Sequence, residues 1–151
     1  MRPNALAVLR LIEFKRVTRP GGVVVSCDFD GFGVEHFPID PHFEAMLRKV
    51  MASLVDTHMG RKVAAYMIEL GMRRIKVEIE MDRVFTVVGA IDPERRRNWE
   101  VQWSAAQPHI VSQFKSETEA RAFIDRFFAH YDDPKTSSIT ILIFTTGTVA
   151  G

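Results

Sequence analysis

The residues best suited to chemistry in this chain stand together at Asp28-Phe29-Asp30-Gly31, with His36 a few positions further on. Two carboxylates at alternate positions of an extended segment project to the same side. Such a pair can divide acid and base roles, or bind an acceptor by hydrogen bonds. An imidazole titrates near neutrality, so His36 suits a general base toward an acceptor hydroxyl. The plain alternatives are that Asp28 and Asp30 cap loop amides and that His36 is solvated.

A second group lies far along the chain. Trp99 and Trp103 are one helical turn apart and offer a flat wall against which a substrate ring could stack, or two core side chains. We assign His36 as the candidate catalytic base and Asp28, Asp30, Trp99 and Trp103 as candidate substrate-binding residues. His42, His58, His109 and His130 show no i, i+4 pairing, and no metal site is expected from them.

Alternating helices and strands must position these groups. Asn4 can cap a helix running to about Thr18, which Pro20-Gly21-Gly22 stops. Val23-Val24-Val25-Ser26-Cys27 is apolar on both faces, the pattern of a strand buried within a parallel sheet, and it places Asp28 and Asp30 at the carboxyl end, where open α/β sheets bind ligands. Asp40-Pro41 starts a helix with Phe43, Leu47, Val50 and Leu54 on one face. Another begins near Thr57, turns Met59, Val63 and Met67 inward, and closes at Gly71. From Ile75 to Met81 apolar and charged residues alternate, which predicts a half-buried strand near an edge.

Residues 84–114 are ambiguous: a short strand around Val84–Val88, then a helix opened by Asp92-Pro93 and stopped before Pro108. Ser116-Glu117-Thr118-Glu119 is a capping box, opening a helix with Phe123, Phe127, Phe128 and Tyr131 inward. The chain finishes on a strand over Ile139–Gly147. No linker divides it, and residues 1–151 read as a single domain in which 84–135 form a helical cover before the last strand.

Composition narrows the function classes. The 151 residues are 46% hydrophobic and 26% charged, ordinary for a globular chain. A net charge of +1 leaves no basic footprint for nucleic acid. The single Cys27 excludes an internal disulfide and suits a reducing compartment. With no signal peptide and no apolar run near the ~18 residues that span a bilayer, no membrane is expected and a cytoplasmic location is.

Taken in order, a helix, Arg16-Val17 with Arg19-Pro20-Gly21-Gly22, a buried strand, Gly60-Arg61 and Leu70-Gly71-Met72 leading into Ile75-Lys76-Val77-Glu78, an insertion and a final strand resemble the second half of the class I S-adenosylmethionine-dependent methyltransferases. The resemblance runs from about Ala5 to the last strand. It implies an α/β fold: a partial Rossmann-like sheet of about three strands, the last antiparallel and inserted between the other two, with helices on both faces. It also implies methyl transfer from S-adenosylmethionine to a small-molecule acceptor. The family's first half holds a Gly-rich loop and an acidic ribose ligand, and neither has a counterpart in these residues. Gly31-Phe32-Gly33 does not replace the loop, so no cofactor-binding residue is assigned. The resemblance therefore points to a chain completed by self-association or by a second chain that finishes the sheet.

Two alternatives come from other classes. The chain could be a non-catalytic interaction module of the same descent. Separately, Asp28-Phe29-Asp30-Gly31 after an apolar strand resembles the first motif of the haloacid-dehalogenase phosphatases, which implies a Mg-dependent phosphatase using Asp28 and Asp30. Phe32 stands where that family keeps Thr.

Overall fold

The protein is described by a computed structural model covering residues 3–151, with side chains from Leu6 onward; the expected cap at Asn4 lies outside the described side chains. The fold is α/β, with five helices and two antiparallel three-stranded sheets. It divides into two compact units, residues 1–32, 55–82 and 140–151 in one and 33–54 and 83–139 in the other.

The first unit holds helix α1 (Pro3–Val17), strand β1 (Val23–Asp30), helix α3 (Gly60–Glu69), strand β3 (Arg73–Met81) and strand β6 (Ile141–Thr148). The sheet order is β1-β6-β3, with β6 antiparallel to both neighbours, so β1 and β3 run parallel to each other on either side of it. Helix α3 packs against the sheet. Met59, Val63, Met67 and Met72 meet Val24, Val149 and Leu11 of α1 to form the core. That face accepts a helix closely because Gly147 of β6 carries no side chain: a Cβ there would lie 3.0 Å from the sulfur of Met67. Gly71, at φ 71°, ends α3 in the left-handed turn that glycine adopts without cost.

The second unit holds strand β2 (His36–Phe37), helix α2 (Pro41–Leu54), strand β4 (Val87–Val88), helices α4 (Pro93–Val111) and α5 (Glu117–Asp132), and strand β5 (Ser137–Ser138). Its small sheet has the order β2-β5-β4. Helix starts follow the sequence signals. The Asp40 carboxylate accepts from the Phe43 N–H at 2.8 Å, Asp92 from Arg95 at 2.9 Å, and the Ser116 hydroxyl from Glu119 at 3.2 Å. The core is aromatic: Phe43, Trp99, Phe123, Phe127, Phe128 and Tyr131 are all buried.

Two expectations change. β1 is neither buried on both faces nor paired in parallel: Val24, on the face toward α3, is 5% exposed, but Val23 and Val25, which project from the other face, are 58% and 60% exposed, and its neighbour β6 runs antiparallel to it. Helix α4 does not stop at Pro108 but runs through it to Val111. A proline forfeits its own N–H bond to the carbonyl four residues back, and its ring crowds that carbonyl. That carbonyl belongs to exposed Ser104, where water can serve it, while fully buried Ile110 anchors the last turn.

Candidate functional site

The polar groups of the first unit converge where β1 ends. Gly60 brings the start of α3 against that strand, since a Cβ on it would stand 3.0 Å from the carbonyl oxygens of both Asp28 and Phe29. The next residue, Arg61, then reaches Asp30. Its Nε donates to Oδ2 at 2.7 Å and its Nη2 to Oδ1 at 2.7 Å, holding a carboxylate that is only 4% exposed. A buried carboxylate requires such a partner.

His58, just ahead of α3, has Nε2 at 3.9 Å from Asp30 Oδ1 and Nδ1 at 2.9 Å from the Thr57 hydroxyl. The Thr57 carbonyl accepts from the backbone N–H groups of Gly31 and Phe32 at 2.8 and 3.2 Å, which fixes the turn after the strand. Asp56 accepts from Lys62 at 2.6 Å. Burial raises the proton affinity of Asp56, and the bonds from Lys62 and the His58 N–H more than offset it, leaving its carboxyl below the usual range.

Asp28 differs from these. Its carboxylate accepts the Phe29 N–H at 2.8 Å, yet burial pushes its proton affinity above the usual range, and the charge of Asp56 adds to that. Asp30 is thus a fixed, ion-paired carboxylate, while Asp28 is the group whose affinity is raised toward accepting and holding a proton.

The other candidates belong to the second unit. His36 is not a solvated loop residue. Its Nε2 lies 3.1 Å from the Gly33 carbonyl, which can only accept, so the proton sits on Nε2 and Nδ1 keeps its lone pair. That Nδ1 is buried without a hydrogen-bond partner. Burial lowers the pKa to about 4, which leaves the ring neutral. The ring meets His130 and Tyr131 edge-on, with centroids 4.8 and 5.3 Å apart. Tyr131 donates to the Ser138 hydroxyl at 2.9 Å and packs 4.5 Å from Trp99.

Trp99 is therefore a core residue, 5% exposed, linked to His36 through Tyr131. Trp103 packs 4.0 Å from Phe127 and lines a cleft between α4 and α5. The structure groups Asp28 with Asp30 in one unit and His36, Trp99 and Trp103 in the other.

Sequence reasoning missed His58 and Arg61 as site residues. The usable signal was a polar pair, Thr57-His58, leading into a helix whose first residue is glycine.

Gly31 and Gly33 both have positive φ, but they do not form an open cradle for a cofactor. The N–H groups of Gly31 and Phe32 are already committed to Thr57, and the space beside Gly33 is filled by Met51, whose methyl would lie 2.8 Å from an added Cβ. These residues do not fit S-adenosylmethionine. Among the described residues no group of three or more His, Cys, Asp or Glu is arranged to hold a metal ion, and no helix is long and apolar enough to cross a membrane. Comparison with protein families finds no match, and comparison with curated proteins finds none either.

Proposed function

We propose that this chain is the substrate-side half of a methyltransferase-like fold, and that the cradle for S-adenosylmethionine comes from a second copy or a second polypeptide that completes the sheet. The observation that carries the reading is the strand order β1-β6-β3, with the last strand antiparallel between two parallel ones. That order is what the resemblance implies, and it is shared by split βαβ units of other α/β folds.

Methyl transfer is an in-line displacement that depends mainly on proximity and orientation, with at most one general base. On this reading the carboxyl end of β1 supplies the acceptor side. Asp28 takes the proton of a small-molecule acceptor, and Asp30, fixed by Arg61, holds the shape of the loop. His36 contributes a neutral acceptor nitrogen to the second unit, where Trp99 and Trp103 supply aromatic surface.

A second reading, a non-catalytic interaction module, is favoured by the uncharged run Val23–Cys27 on an unpaired strand edge, with Val23, Val25 and Cys27 exposed, and by the exposed apolar side chains of α1: Leu6, Leu9, Ile12 and Val17.

Light scattering followed by calorimetric titration with S-adenosylmethionine and S-adenosylhomocysteine separates the two. A mass above 17.2 kDa together with micromolar cofactor binding supports the methyltransferase-like reading. Association without cofactor heat supports the interaction module. A stable monomer that binds neither compound overturns both.

A further inference from the structure

Helices α4 and α5 flank an open cleft of about 460 Å³, within the ~300–1,000 Å³ range of small-molecule sites. Its floor is apolar: Trp103 and Phe128, ring centroids 6.1 Å apart, with Ile124 beside them. Arg96 at one end is already used. It pairs with Glu100 and with Asp132 and lies over the Phe128 ring at 4.9 Å.

The opposite charges on α5 behave differently. Arg121 and Asp125 both line the cleft and stand one turn apart, and neither makes an ion pair or side-chain hydrogen bond with a described residue. A basic residue one turn ahead of an acidic one is the weaker orientation for a pair within a helix, so the two charges remain available to something else. An aromatic floor flanked by one free cation and one free anion on the same helix matches a ligand with a ring, a carboxylate and an ammonium.

We infer that the α4–α5 cleft binds a zwitterionic aromatic ligand of the α-amino acid class, its ring on Trp103 and Phe128, its carboxylate on Arg121 and its ammonium on Asp125. This site lies wholly within the second unit and does not depend on the methyl-transfer reading.

The probe is L-phenylalanine, titrated calorimetrically into the full chain beside 3-phenylpropanoate and phenethylamine, each of which lacks one charge. A ligand of this size is expected to bind with a Kd on the order of 1 mM. Loss of either charge, at a half-exposed ion pair, weakens binding roughly fivefold. Arg121→Gln should equalise L-phenylalanine with phenethylamine, and Asp125→Asn should equalise it with 3-phenylpropanoate. Both side chains are exposed, so neither variant threatens folding. Equal binding of all three probes overturns the inference, as does the absence of heat with L-phenylalanine up to about 10 mM. Neither outcome bears on the S-adenosylmethionine titration.

Discussion

Strands β1 and β3 are both outer strands of one sheet, both pair with β6, and they present opposite kinds of edge. β3 carries Arg73, Arg74, Lys76, Glu78 and Glu80, almost all open to solvent. Charges along an outer strand discourage a further strand from pairing. β1 has no charge from Val23 to Cys27, and its carboxylates come only at the end, where Asp28 is half-buried and Asp30 buried.

The contrast does not extend to the short strands that follow: β2 joins half-buried His36 to Phe37, 75% exposed, and β4 joins buried Val87 to Val88, 80% exposed. The two pairs occupy matching outer places in their sheets, β1-β6-β3 and β2-β5-β4. β1 thus has an open, uncharged edge and β3 a closed, charged one, but the strand ends differ less: Asp82, next after β3, is buried as Asp30 is. What sets β1 apart at its end is Asp28, whose proton affinity burial raises, and the candidate chemistry is placed there for that reason.

The largest effect expected from this comparison concerns association. Val25→Lys puts a charge on the open edge and should weaken any self-association by roughly 100-fold. Ile79→Lys on β3, at a side chain similarly exposed, should leave the mass unchanged. Light scattering across a dilution series reads both, and equal responses would dissolve the distinction between the edges.

Acid provides the next test. The folded-state pKa of His36 is held near 4 by burial, below its unfolded value, so the folded chain binds fewer protons than the unfolded chain between about pH 4 and 6.5. Stability is therefore full above about pH 6.5 and falls as the pH drops toward 4, by up to about 3 kcal/mol. Other groups face this ring and share the titration: His130, itself held below its ordinary value by burial, with Glu35 and Arg48 acting at longer range. Urea unfolding at pH 7 and pH 5 should show the loss in the parent chain and a smaller one in His36→Gln. An unchanged pH dependence in the variant would assign the loss elsewhere.

A smaller loss is expected from Arg61→Gln, which leaves buried Asp30 without its charged donor and should cost about 2 kcal/mol. That corresponds to a drop in melting temperature of roughly 4–8 °C for a chain of this size. Lys76→Gln on the closed edge should cost under about 0.5 kcal/mol.

Much of the fold was legible because its signals are local. Asp40-Pro41, Ser116 with Glu119, and Gly71 each act within one turn, and each is found where its residues imply. The burial of β1 was not legible. A run of valines reads the same whether a strand is covered on both faces or waiting to be covered, and the composition of a strand does not reveal its neighbours. Strands β2, β4 and β5 have two residues each and show no period to detect. The site was half legible: Asp28 and Asp30 announce themselves beside an apolar run, but Arg61 is 31 positions from the carboxylate it holds, a pairing only the approach of Gly60 to β1 creates.

The last effect has the opposite sign and is the most informative about function. Burial raises the folded-state pKa of Asp28 above its unfolded value, so the contribution of this group to stability is fully present below the unfolded pKa, near 4, and is lost as pH rises through the folded value. At pH 7 the ionised carboxylate opposes folding, whereas His36 opposes it only in acid. Asp28→Asn keeps the shape and removes the charge, so it should raise the melting temperature at neutral pH. The gain should stay under about 1 kcal/mol, because the side chain is only partly buried and water screens it. The gain should vanish near pH 4, where the parent carboxyl is protonated. A residue that lowers stability at neutral pH, placed at the carboxyl end of the open-edged strand, is what a proton-accepting role at that strand end requires. If Asp28→Asn instead destabilises the chain at pH 7, the carboxylate is a structural acceptor for the Phe29 N–H, and the case for its acting as the base fails.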